Sequence, residues 1–169
     1  MGGLAVAGVR IARLALLFAC LSLGGCAGEG SDQAGGNGNG GGNGDDCVPP
    51  ADPVISFTQN IAPLWAMRCA IPSCHDAASP QTPNLEPSVS YANTVNVASV
   101  QQPALDLVVP GSSDDSYLFR KVDLTQQFPV TGGLMPLGCP SAPPAGGCLT
   151  ADEVAAIELW ITECALDDG

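Results

Sequence analysis

Eight cysteines in 169 residues, Cys20, Cys26, Cys47, Cys69, Cys74, Cys139, Cys148 and Cys164, constrain this chain more tightly than any other feature. A cross-link fixes which distant segments must meet, and an exported chain this rich in cysteine belongs to an oxidising compartment where thiols are paired, modified or bound to something. Cys47, Cys139, Cys148 and Cys164 allow three pairings. The preferred set joins Cys139 to Cys148 around Pro140-Ser141-Ala142-Pro143-Pro144-Ala145-Gly146-Gly147, and Cys47 to Cys164 across the two ends of a domain. The second closes a long loop and contributes roughly 4–5 kcal/mol in the chain-entropy description.

Cys20 and Cys26 belong to the N-terminus. Arg10 and Arg13 precede an apolar stretch from Leu14 to Leu23, the order of a secretory signal and too short for a membrane span. The stretch ends Leu23-Gly24-Gly25-Cys26, which resembles the lipobox of bacterial lipoproteins. That resemblance implies cleavage before Cys26 and a membrane anchor through lipid on its thiol, at the periplasmic or outer-membrane surface of a bacterial envelope. Ala27 after the lipid cysteine favours the outer membrane by the same resemblance; the plainer alternative is simple secretion. Residues 27–46 are mostly Gly and Asn, with no apolar periodicity on which a core could form. As a tether they span roughly 25 Å of random coil. The expected organisation is a signal over 1–25, a disordered tether over 26–46 and one domain over 47–169.

From Cys26 onward the chain keeps Arg68, Arg120 and Lys121 against 17 acids, a formal charge of −14. Such a surface excludes nucleic acid as a partner and is repelled by bare anionic headgroups. A neutral or basic protein partner suits it, and solubility alone would also account for the charge.

Residues 69–75 read Cys69-Ala70-Ile71-Pro72-Ser73-Cys74-His75 and contain the chain's only histidine. Two thiols followed directly by histidine are what covalent haem attachment needs: the thiols add to the porphyrin vinyl groups and the imidazole ligates iron. Here four residues separate the cysteines, where the usual motif has two. Two rival readings stand beside haem. One is a third disulfide, Cys69–Cys74, with His75 a bystander. The other is zinc, for which neither a second histidine nor another close cysteine pair completes a tetrahedral set.

Phe57, Ile61, Leu64 and Trp65 recur at helical spacing and predict a helix delivering Cys69, capped at Asn60 with Pro63 in its first turn or starting at Thr58. Two short helices are expected around residues 88–97 and 113–122. The clearest element is the last: Thr150-Ala151-Asp152-Glu153 is a capping box, followed by Val154, Ile157, Ile161 and Cys164 at three- and four-residue spacing. No segment alternates for long, so the expected class is all-α with long loops. A ligating histidine donates its other ring N–H to a carbonyl, and Pro83 in Thr82-Pro83-Asn84-Leu85 is placed to supply one. With no second histidine, an iron so held takes methionine, water or substrate. Met67 lies two residues before Cys69, too near to reach the opposite ring face, whereas Met135 lies in Gly132-Gly133-Leu134-Met135-Pro136-Leu137, far from His75.

This order of helix, cysteine–histidine run, Pro-Asn-Leu turn, small helices, Met-Pro loop and capped helix with Trp160-Ile161 resembles the small monohaem cytochrome c domain over roughly residues 54–166. Thr82-Pro83-Asn84-Leu85 is similar to that family's Gly-Pro-Asn-Leu segment, with Thr82 in place of glycine. The resemblance implies a cytochrome c-like helical fold, one haem c on Cys69 and Cys74, His75 and Met135 as axial iron ligands, and the Pro83 carbonyl on the histidine. The activity it implies is one-electron transfer to a redox partner protein, not enzymatic turnover. Two alternatives remain: a haem enzyme with an open iron site, and a disulfide-stapled surface lipoprotein that binds its partner without haem.

Overall fold

In the computed structural model, which describes residues 46–125 and 127–169, Ser56 sets the first helical turn. Its Oγ accepts from Gln59 N at 3.0 Å, and its own N–H donates to Asn60 Oδ1 at 2.9 Å, so two donors without intrahelical partners are satisfied reciprocally. Phe57–Ile61 is one π-helical turn running directly into α1, Ala62–Arg68. Asn60 is therefore the partner of the cap and not the cap itself. Pro63 is the second residue of α1.

Helix α3, Ala151–Thr162, begins with the capping box read from the sequence: Glu153 N donates to Thr150 Oγ1 at 3.2 Å and Thr150 N to Glu153 Oε2 at 2.7 Å. Its buried face, Val154, Ile157, Trp160 and Ile161, packs on the π turn. The contact is aromatic. Trp65 and Trp160 meet edge to face with centroids 5.6 Å apart, and Phe57 lies 5.5 Å from Trp160 and 5.2 Å from Tyr91. Edge-to-face pairs contribute about 0.5–1.5 kcal/mol each beyond the area they bury.

The two flanks of this core are sewn together. The Glu163 carboxylate accepts from Val54 N and Ile55 N at 3.0 Å, and Asp168 Oδ1 accepts from Thr58 N at 2.9 Å and Thr58 Oγ1 at 3.1 Å. Cys47–Cys164 closes the same seam, and Cys139–Cys148 closes the Pro/Gly-rich loop, which is the preferred pairing. Separations of 117 and 9 residues correspond to roughly 5 and 2.5 kcal/mol of chain entropy. Two disulfides belong to an oxidising compartment. No described helix is long and apolar enough to cross a membrane. The expected signal, the expected lipid site Cys26 and the expected tether lie outside the described residues, apart from Asp46.

The all-α, cytochrome c-like helical class is overturned. Helix accounts for 25% of the described residues, and the only strand-like pairings among them are the isolated bridges Val95 with Val108, Ala98 with Asp106 and Val109 with Ser112. The expected helix at 88–97 is a run of turns. Thr94 Oγ1 bonds back to Ser90 O at 2.7 Å, and Val95 already pairs with Val108 across the molecule. Side-chain bonding of this kind competes with the helical ladder. The helix expected over 113–122 shrinks to α2, Tyr117–Val122. Ser116 Oγ donates to Ser112 O at 2.7 Å and accepts from Val109 N at 2.8 Å, which holds residues 112–116 in a turn and leaves Ser116 extended.

Candidate functional site

Cys69 terminates α1, its N–H bonded to Trp65 O at 2.8 Å. Ala70 N shares that acceptor, Cys74 N bonds Ile71 O at 3.0 Å, and His75 N bonds Cys69 O at 3.1 Å. Ser73 takes the left-handed conformation, φ 69°. The four intervening residues form a loop in which Ala70 packs against the core and Pro72 and Ser73 are exposed, while one backbone bond across the base joins Cys69 and His75. Cys69 and Cys74 are half-buried and are the unpaired cysteines among the described residues. Burial, with Cys74 as the next contribution, pushes the Cys69 thiol up to about 12 despite the adjacent Arg68. It is a neutral thiol at physiological pH, a weak nucleophile for disulfide exchange.

His75 is anchored by Leu85 N bonding to its carbonyl at 2.8 Å. Its Nδ1 lies 2.8 Å from Pro83 O. A carbonyl only accepts, so Nδ1 carries a proton in this contact, and in the neutral tautomer that makes it, Nε2 is the nitrogen with the free lone pair. On the other wall, Gly132 and Gly133 adopt φ of 76° and 81°, and Met135 N then donates to Lys121 O at 2.6 Å, which fixes the methionine to the end of α2.

Cys69, Cys74, His75, Pro83 and Met135 all line one cavity of about 290 Å³. Trp65, Leu85, Leu107, Leu118, Val122 and Ile157 supply its apolar walls. Met67 is 56% exposed and is not among the lining residues. Among the described residues no three His, Cys, Asp or Glu side chains converge on a common metal position.

Arg68 braces the approach. Its Nε and Nη2 reach Glu153 Oε1 at 3.0 and 2.8 Å, and its Nη1 donates to Gly146 O at 2.7 Å, tying α1 to α3 and to the Cys139–Cys148 loop. Burial raises the Glu153 carboxyl, but the Thr150 N–H and Arg68 outweigh it and hold the group below the ordinary glutamate value. Gly146 packs so closely that a Cβ there would lie 2.6 Å from Met67 O.

Sequence reasoning missed Lys121 and Gln101, which line the same cavity. For Lys121 a signal existed: it stands four residues from Tyr117 on α2, one helical turn, beside the core residues Leu118 and Val122.

Comparison of the chain with family models, with curated proteins and with solved structures returns no match.

Proposed function

We propose that this chain is an exported, lipid-anchored c-type cytochrome that carries one electron through a covalently attached haem. The observation that carries the reading is the gathering of two unpaired thiols, an imidazole oriented through Nδ1 and a methionine thioether on one apolar cavity, while the other four described cysteines are paired. Cys69 and Cys74 would hold the haem by thioethers, and His75 Nε2 and Met135 Sδ would ligate its iron. When bound, the haem supplies a one-electron iron couple.

The chain's own residues do the rest. The Pro83 carbonyl fixes the imidazole tautomer and raises its basicity. With His75 and Met135 both holding the iron, no ligand position would be left for a substrate, which would favour outer-sphere transfer over turnover. Methionine sulfur and apolar walls of low dielectric both favour the reduced state and raise the potential. Lipid on Cys26 would hold the domain at the envelope surface, and the charge of −14 after the signal suits a neutral or basic redox partner.

Intact-mass analysis and a pyridine haemochrome spectrum of the exported protein test this together. The expected result is one haem added, two saturated vinyl groups, and a sulfur-to-iron charge-transfer band in the oxidised protein that Met135→Ala abolishes. A mature chain without that mass and with Cys69 linked to Cys74 ends the cytochrome reading in favour of a stapled binding module. Haem present without the band moves the assignment to an open iron site.

A further inference from the structure

Arg68, Arg120 and Lys121 are the only cations after residue 26, in a chain with 17 acids. Arg68 reaches Glu153 at 2.8 Å and Arg120 reaches Asp115 at 3.9 Å. Lys121 has no carboxylate partner among the described residues, although it is only 7% exposed. Its ammonium donates to Gln101 Oε1 at 3.2 Å and to Thr131 O at 2.7 Å, two neutral oxygens. An ammonium has three donors, so one is left without an acceptor among the described residues. Burying a cation without an anion is unfavourable. Consistent with that, burial lowers the Lys121 pKa.

The unmatched charge does not sit at random. Lys121, Gln101 and Tyr117 line the cavity that Cys69, Cys74, His75 and Met135 also line. Gln101 is exposed at its edge, and its amide Nε2 donates to no acceptor among the described residues. The Tyr117 hydroxyl accepts from Thr131 N at 3.1 Å and lies within 3.2–3.3 Å of Gln101 Oε1 and Thr131 O, so it braces the same cluster. A carboxylate there would meet the free ammonium donor and the Gln101 amide, and a charge-assisted bond of this type is about twice as strong as a neutral one.

We propose that Lys121 and Gln101 form a carboxylate-binding subsite at the edge of the cavity, which takes a propionate of the haem held by Cys69, Cys74 and His75. This rests on the haem reading above and adds to it a counter-charge and a fixed orientation of the group. In a chain so acidic, an anionic cofactor edge needs a reserved cation, and Lys121 is the one not already paired.

The test uses the exported full-length protein. A pyridine haemochrome of the native chain first reports haem irrespective of Lys121. On reduced protein, proton NMR is then expected to show nuclear Overhauser contacts between the Lys121 ε-methylene and a propionate side chain. Resonance Raman is expected to show a propionate bending band that shifts in Lys121→Met and returns toward its native position in Lys121→Arg. A normal haemochrome with no such contact, and a bending band identical in native protein and Lys121→Met, overturns the subsite and leaves the haem reading standing. A native chain with no haemochrome removes both. Should Lys121→Met fail to accumulate, the contacts in native protein decide alone.

Discussion

The seam where the two ends of the domain meet and the wall formed by residues 69–85 and 131–137 are finished in opposite ways. At the seam, the chain satisfies itself: Glu163 and Asp168 take up the backbone donors of residues 54, 55 and 58, a disulfide joins Cys47 to Cys164, and four aromatic rings close on one another. At the wall, the reactive groups exceed what packing needs. Two thiols, an imidazole nitrogen, a thioether and a buried ammonium line a single cavity. At the seam the polar groups come with partners inside the chain; at the wall two thiols and one ammonium donor have none among the described residues.

Four measurements bear on that contrast. The largest effect is expected at the seam, where Cys47→Ser with Cys164→Ser removes about 5 kcal/mol in urea denaturation. A loss under about 1 kcal/mol would show that hydrogen bonds alone hold the ends. Next, Trp160→Ala is expected to lower stability by about 3–5 kcal/mol, the range for truncating a core aromatic. Met135→Ala is expected to change the denaturation midpoint far less and, under the haem proposal, the visible spectrum far more. Equal stability losses for the two would erase the distinction between seam and wall.

A smaller effect separates two glycines. Gly146→Ala drives a methyl against Met67 O and should cost about 1–3 kcal/mol as overpacking. Gly133→Ala has no neighbour within 4 Å and should cost about 1–2 kcal/mol, from the left-handed backbone alone. A thermal melt that ranks them the other way would place the tight contact at the Met135 loop instead of beneath the disulfide loop.

The smallest concerns Glu153. Its folded pKa is depressed, so its stabilisation is complete above the ordinary value of 4.5 and is lost as pH falls through the folded one. Glu153→Gln is expected to cost about 1 kcal/mol at pH 7, with its stability curve converging on that of the native protein in acid. Parallel curves down to low pH would mean that the Arg68 pair contributes nothing that titrates.

Local signatures were the legible part of this chain. The capping box at Thr150 and Glu153 needs only residues three apart, and it appears as read. Assigning the remaining thiols elsewhere left four cysteines and three pairings, of which the preferred one agrees with both disulfides. Helices 88–97 and 113–116 failed because their outcome is decided by serine and threonine hydroxyls bonding short-range carbonyls and by a bridge to Val108, none of which periodicity registers. The line of residues around the cavity was legible for Cys69, Cys74, His75, Pro83 and Met135. It was not for Lys121, because a net charge counts cations without asking which of them lack an anion.

The bond from His75 N to Cys69 O has a wider consequence. A motif written as a fixed number of residues measures contour length, whereas the relative placement of these side chains is governed by a chord drawn across the loop. Once that chord exists, the arc outside it can lengthen without moving its ends. The backbone separation of Cys69 and His75 is thus set by the chord and not by the number of residues in the arc.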